Sequence, residues 1–334
     1  MGGGSWDSKV YTSAATDRAA KGIHDFAYSH DTLKKDRDKW AVHEDLDPKK
    51  MKDNMRESRD SAEHPESRAV CVMFDVTGSM QSVPQVFQKK LEKLMSLIIR
   101  KGGLEHPQIL VGAIGDATCD RIPLQISQFE SSNLVDEHLR KIVLEGGGGG
   151  QNTESYELAL FAMARCTVMD CLEKRGQKGY LFLSGDELYY PKISKDQVKE
   201  FMGISLQENI SMKVIVDELN EKFITYFIIP KGTSHYNESW LKDGWTKYFG
   251  QNVLFLDNPE AVCELIASTI ALNEGSDINV VTEDLKEIGI DAKTVSSVAR
   301  ALSKTTVNVT TTKGSAKVTG AVPKSEKDDT VLRV

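Results

Sequence analysis

Ala69-Val70-Cys71-Val72-Met73-Phe74 is an unbroken apolar run that stops at Asp75, the pattern of a strand buried on both faces. After a Thr-Gly-Ser turn, Val83, Phe87, Leu91, Leu94 and Ile98 recur at helical spacing. The alternation continues. Residues 108–114 and 124–129 predict strands, 134–144 a helix, and 153–173 a longer helix behind five consecutive glycines, Gly146 to Gly150. Three more apolar strands are expected at 180–183, 224–229 and 253–256, with helices at 212–223, 240–249 and 259–272.

Wholly apolar strands separated by helices predict an α/β fold over 68–273, a doubly wound, mostly parallel sheet flanked by helices. Residues 1–67 are polar, with Trp6, Tyr11, Phe26, Tyr28 and Trp40 as scattered anchors. They predict an N-terminal arm that packs on the domain through short helices or stays partly disordered. Residues 274–303 form a small helical segment on Val280, Leu285, Ile288, Ile290, Val295, Val298 and Leu302, and 304–334 a flexible tail.

Composition narrows the partners. The 334 residues are 40% hydrophobic and 27% charged, which is ordinary for a globular chain. A net charge of −7 supplies no global positive field, so nucleic acid is not an expected partner. No apolar run reaches the roughly 18 residues of a membrane span, so no membrane association is expected either. The first residues lack a secretory pattern, and five cysteines without a CxxC pair read as reduced thiols, which points to the cytoplasm. His106 and His138 read as solvated, His235 as a surface-loop residue, and no two histidines stand at metal-ligand spacing.

Ligands of doubly wound sheets bind beyond the carboxyl ends of the strands. Asp75, Asp116 and Asp186 each follow an expected strand end and so converge on one rim. Asp75, Thr77 and Ser79 place a carboxylate and two hydroxyls at alternate positions of a strand-to-helix turn, an all-oxygen set suited to a hard ion such as Mg²⁺. Asp186 brings a second carboxylate, with Glu187 adjacent to it. The loop behind the glycines brings Thr153 or Glu154, and Asp116 stands as a further direct or supporting acid. Tyr189 and Tyr190 are candidates for a partner-binding rim.

Phe74-Asp75-Val76-Thr77-Gly78-Ser79-Met80 resembles the metal-ion-dependent adhesion site (MIDAS) of von Willebrand factor A (VWA) domains, whose pattern is Asp-x-Ser-x-Ser. Gly146 to Thr153 followed by Ala159-Leu160 resembles that family's glycine-threonine loop, and Leu183 to Glu187 its last acidic loop. The resemblance spans roughly 68–273 and implies a VWA/Rossmann-like fold. It assigns Asp75, Thr77, Ser79, Thr153 and Asp186 to Mg²⁺, or Mn²⁺ or Ca²⁺ in its place, with one position left for an Asp or Glu of a partner protein. Thr77 stands for the usual first Ser, Ser184-Gly185-Asp186 displaces the acid by one residue, and Glu154 and Ser155 compete with Thr153 for the third place. The resemblance further implies a non-enzymatic adaptor or assembly module of bacterial or phage-type intracellular relatives, which often work beside ATPases.

Two alternatives remain open. Asp75-Val-Thr-Gly-Ser is close to the nucleophile loop of Mg²⁺-dependent phosphohydrolases of the haloacid-dehalogenase type, although Thr77 stands where their second Asp acts as general acid and base. An RNA-binding VWA protein is the other, and it needs a basic surface that the sequence does not cluster.

Overall fold

The central strands send alternate side chains to opposite faces, and each face is covered by its own helices. The computed structural model describes residues 4–80, 82–147, 150 and 152–303, with the side chains of Ser79 and Ser82 excepted. Residues 304–334, expected as a tail, lie outside the described residues.

The N-terminal part contributes α1 (Ser8–Ala20), α2 (Ala27–Leu33) and β1 (Arg56–Ser58). The first half of the domain follows as β2 (Arg68–Asp75), α3 (Ser82–Lys89), α4 (Leu91–Arg100), β3 (Pro107–Ile114), β4 (Leu124–Ile126) and α5 (Leu134–Arg140). Next come β5 (Thr153–Glu154), α6 (Tyr156–Arg165), β6 (Thr167–Met169), α7 (Asp170–Arg175), β7 (Gly179–Ser184) and β8 (Leu188–Tyr189). A hairpin-like excursion holds β9 (Lys192–Ile193), α8 (Lys195–Met202) and β10 (Ile210–Ser211), and α9 (Met212–Lys222) leads into β11 (Phe223–Pro230). The chain continues through α10 (Ser239–Phe249), β12 (Val253–Leu256), α11 (Val262–Asn273), α12 (Ile278–Glu287) and α13 (Ala292–Leu302).

Six of these strands form one sheet in the order β12-β11-β7-β2-β3-β4, parallel except for the antiparallel edge strand β4. The expected doubly wound α/β architecture is therefore present. The chain moves outward from β2 through β3 on one side and from β7 through β11 on the other, so the order reverses between β2 and β7. Such a reversal opens a crevice at the carboxyl ends. Val70, Val72 and Phe74 enter one core with Val111, Phe182, Tyr226, α4 and α11. Cys71 and Met73 enter the other with Leu110, Leu181, Phe227, α6 and α10. Two buried faces explain why the strands read as continuous apolar runs rather than alternating ones.

Of the two forms expected for the N-terminal arm, residues 4–67 take the packed one. Phe26 and Leu46 are fully buried in the first core, and the Tyr11 hydroxyl donates to Gln88 O at 2.9 Å. Strand β1 pairs in parallel with β6, and Arg59 and Asp60 clasp α7 through ion pairs to Asp170, Glu173, Lys174 and Arg175.

That pairing corrects one expectation. The helix expected over 153–173 is broken: α6 ends at Arg165, and Thr167 to Met169 is extended. Thr167 and Val168 are β-branched, and Arg56 N donates to Cys166 O at 2.8 Å where the helix stops, so strand pairing wins over helical continuation. The helix expected over 134–144 likewise stops at Arg140. The Gln125 side-chain amide takes both the N–H and the carbonyl of Val143 at 2.8 Å, in place of a neighbouring strand. His138, expected to be solvated, is buried on α5, and burial pushes its pKa down to about 4. In the C-terminal helical segment Val281, Leu285, Val295, Val298 and Leu302 face the first core, whereas Val280 and Ile288 are exposed. Among the described residues no helix is long and apolar enough to cross a membrane.

Because Phe26 lies inside the core, Phe26→Ala should lower the unfolding free energy by about 3–5 kcal/mol. Urea unfolding of the two chains measures it. A loss near zero would mean that the N-terminal part contributes no core.

Candidate functional site

Strand β2 ends in a carboxylate with no exposed surface: Asp75 is 0% accessible. Its Oδ1 accepts the Thr77 N–H at 2.8 Å and the Thr77 hydroxyl at 2.5 Å, and its Oδ2 accepts the Tyr156 hydroxyl at 2.9 Å. The turn that follows is tied to the glycine run, because Gly78 N donates to Gly147 O at 2.9 Å and Gly146 N to Val76 O at 3.3 Å. Gly146 and Gly147 adopt φ of +60° and +117°, a backbone that glycine tolerates and other residues resist. The Ser79 backbone lies in the turn Gly78–Met80, but its side chain, like residues 148, 149 and 151, is outside what is described.

The other two loops are knitted to the first. Strands β5 and β8 pair in parallel, Thr153 with Leu188 and Glu154 with Tyr189, and Leu188 N donates to Asn152 O at 3.0 Å. The chain behind the glycines thus meets the chain that follows β7. Glu154, Glu187 and the fully buried Asp186 come to the same rim as Asp75. The phenol of Tyr190 donates to Asp116 at 3.1 Å and lies 3.3 Å from the Thr118 hydroxyl. Ser155 is buried elsewhere in the loop: its Oγ accepts Ala117 N at 2.9 Å and ties down the segment after β3. Tyr189 turns inward, its hydroxyl on Gly244 O and its ring against Trp245 and Tyr248.

Three groups were missed from the sequence. Tyr156 reaches Asp75 from the start of α6, and a Cβ built on Gly185 would lie 1.8 Å from its hydroxyl oxygen, so Gly185 is small because the phenol occupies that space. Glu157 is wholly buried, with Oε2 accepting Tyr190 N at 3.3 Å. His235 is half-buried rather than a surface residue, and its backbone N–H donates to Asp186 Oδ2 at 3.2 Å. No local signal marks these residues, because each acts across a long sequence separation.

Acidic groups crowd the rim. Burial pushes Asp75 up to about 7, the charge of Asp186 adds to this, and the Thr77 and Tyr156 hydrogen bonds oppose it. Burial also raises Glu157 to about 8. Glu154 and Glu187 are both raised, first by burial and then by the charge of Asp75. Among the described residues no lysine or arginine pairs with Asp75, Glu154 or Glu187, and one carboxylate oxygen each of Glu154, Glu157 and Glu187 lacks a hydrogen-bond partner. Buried acids in this condition hold protons or a cation. Among the described residues no three of His, Cys, Asp and Glu are placed to hold an ion by themselves, so a cation here has to use hydroxyl oxygens as well as carboxylates.

Neither a protein-family model nor a curated protein matches the sequence. Among solved structures, the pilus adhesin SpaC from Lactobacillus rhamnosus GG is 8% identical with a TM-score of 0.44, over 65% of this chain and 31% of that one. Proximal thread matrix protein 1 from the mussel byssus is 10% identical with a TM-score of 0.40, over 62% of this chain and 46% of that one. The vWF domain of the type V pili tip protein Mfa5 from Porphyromonas gingivalis is 12% identical with a TM-score of 0.39, over 63% of this chain and 97% of that one. This chain therefore spans less than half the length of the first two. At such identities and TM-scores the likeness transfers no residue roles.

Filling the space at Gly185 should displace Tyr156 from Asp75. Gly185→Ala is expected to cost about 1–3 kcal/mol of stability, and less when combined with Tyr156→Phe, which removes the oxygen it strikes. A double-mutant cycle by chemical denaturation checks this, and additive losses would show that the two residues do not compete for the same space.

Proposed function

We propose that the chain is a divalent-cation-dependent protein-binding module in which Mg²⁺, or Mn²⁺ or Ca²⁺ in its place, takes an Asp or Glu side chain of a partner. The observation that carries this is the set of buried carboxylates on one rim without a counter-cation among Asp75, Glu154 and Glu187. Asp75, Thr77, Ser79, Thr153 and Asp186 would hold the ion, all through oxygen, which fits a hard cation. When bound, the ion neutralises the rim and offers a coordination position to an incoming carboxylate. The chain's own residues prepare that position. Thr77 and Tyr156 fix both oxygens of Asp75, the His235 N–H fixes Asp186, and the β5–β8 pair holds Thr153 across from them. Glu154 and Glu187 stand beside that position, and burial and the charge of Asp75 favour their protonated forms until a cation arrives.

The partner in this proposal is an acidic protein surface, with an ATPase as the association implied by the motif's resemblance, and the module works in the cytoplasm without catalysis. Asp75→Ala should abolish Mg²⁺-dependent capture of a partner from host extract while leaving chelator-insensitive binding unchanged. Capture unaffected by the substitution would sink the proposal. Mg²⁺-dependent turnover of a phosphate ester that disappears with Asp75→Ala would favour the phosphohydrolase instead.

The raised carboxyl pKa values set a second expectation. In metal-free protein these groups bind more protons folded than unfolded between the ordinary carboxylate value, 3.8 for Asp, and about 7 for Asp75 or 8 for Glu157. Stability is therefore greatest at the acid side of that window and falls as pH rises through it. Chelated protein should melt lower at pH 8.5 than at pH 5.5, other conditions equal, and Mg²⁺ should raise the melting temperature more at the higher pH. Thermal melts at both pH values with and without Mg²⁺ test it.

A further inference from the structure

The opposite end of the sheet holds a pair of histidines that the rim does not use. His64 lies in a tight turn, where Ser61 N donates to His64 O at 3.0 Å and His64 N to Ser61 Oγ at 3.1 Å. His106 directly precedes β3, and its carbonyl accepts Arg68 N at 2.9 Å. Both backbones are thus pinned. The rings meet at 75° with centroids 5.4 Å apart, and Nδ1 of one lies 3.3 Å from Nδ1 of the other.

The partner of the remaining nitrogen sets the tautomer of His64. Nε2 lies 3.1 Å from Gly4 O, and a carbonyl oxygen only accepts, so Nε2 carries the hydrogen. Neutral His64 therefore presents a bare lone pair at Nδ1 toward His106. Two species can occupy the space between the Nδ1 atoms, a proton on His106 or a cation. At 3.3 Å the separation is longer than an ordinary N–H hydrogen bond, which spans about 2.7–3.2 Å to oxygen. It matches the edge of a tetrahedron with metal–nitrogen bonds of about 2.0–2.1 Å, roughly 3.3–3.4 Å. A ring whose other N–H is held by a backbone carbonyl is also the usual condition of a ligating histidine.

We propose that His64 and His106 bind a borderline divalent transition-metal ion of the Zn²⁺ class between their Nδ1 atoms. Among the described residues no third His, Cys, Asp or Glu joins them, so water completes the coordination and affinity is moderate. His64 is 6% exposed and His106 half-buried, which places the ion at the margin of the domain. The ion ties three separate stretches together: the turn before β2, the start of β3 and, through Gly4 O, the N-terminal residues. This site is independent of the acidic rim. Imidazole nitrogen selects Zn²⁺-class ions, whereas the rim offers only oxygen.

The test titrates chelator-stripped full chain with Zn²⁺ by calorimetry in saturating Mg²⁺, beside His64→Ala, His106→Gln and Asp75→Ala. The expected result is one Zn²⁺ site, weakened about tenfold or more by either histidine substitution and unchanged by Asp75→Ala. Circular dichroism identifies any variant that fails to fold, and the half-buried His106 position keeps one arm informative if His64→Ala does. No Zn²⁺ binding by the parent chain would overturn the proposal and leave a shared proton between the rings. Binding that survives in folded His106→Gln, or that vanishes in Asp75→Ala alone, would assign the ion elsewhere and overturn it as well.

Discussion

A carboxylate at the end of a strand buried on both faces is the constraint around which this molecule is arranged. Asp75 cannot reach bulk solvent, and an ionised group removed from water is costly unless it is paired or hydrogen-bonded. Both of its oxygens are engaged by protein hydroxyls or N–H groups, and each donor depends on further structure. Tyr156 stands at the first turn of α6 and packs against Phe227 and Trp245, which stack on one another. Gly185 leaves room for its phenol. The aromatic core under the rim is therefore also the scaffold that aims a hydrogen bond at Asp75.

The acids around Asp75 make that constraint harder, not easier. Bringing Glu154, Asp186 and Glu187 to the same end of the sheet adds like charge where the dielectric is low. Such an arrangement is poor design for stability alone, since apolar residues would fill the space at less cost. It is sensible for a site whose charge is balanced by something that comes and goes. The same argument explains why the loops are cross-linked by backbone pairing, β5 to β8 and Gly78 to Gly147, rather than by side chains alone. Repelling groups stay together only if their backbones are held.

Strand β3 joins the two ends of the molecule. His106 precedes its first residue and Gly115-Asp116 follow its last, so its eight residues separate the histidine pair from the acidic rim by roughly 26 Å. At that distance the two sites are electrostatically screened from one another at physiological salt. The N-terminal part bridges further elements, with Phe26 and Leu46 in the core, β1 beside β6, and the Arg59 and Asp60 ion pairs on α7. Its polar composition concealed this, because a handful of buried apolar anchors suffices when ion pairs and backbone pairing hold the rest.

The sequence by itself determined the sheet and the position of the rim. Strands buried on both faces must be apolar along their whole length, and Asp75, Asp116 and Asp186 break that pattern where the strands end, so both could be read without coordinates. It could not show that Thr167 to Met169 would leave a helix, because the reason is a partner strand more than a hundred residues away at Arg56 to Ser58. Nor could it pair His64 with His106, give Tyr156 its role, or bury His138. Each depends on which side chains meet across the fold, and a local period carries no information about that. Tertiary structure also shows the ties that Ser155 and Tyr189 make within the scaffold, to Ala117 N and Gly244 O. Periodicity records which face of an element is buried; only packing decides what lies against it.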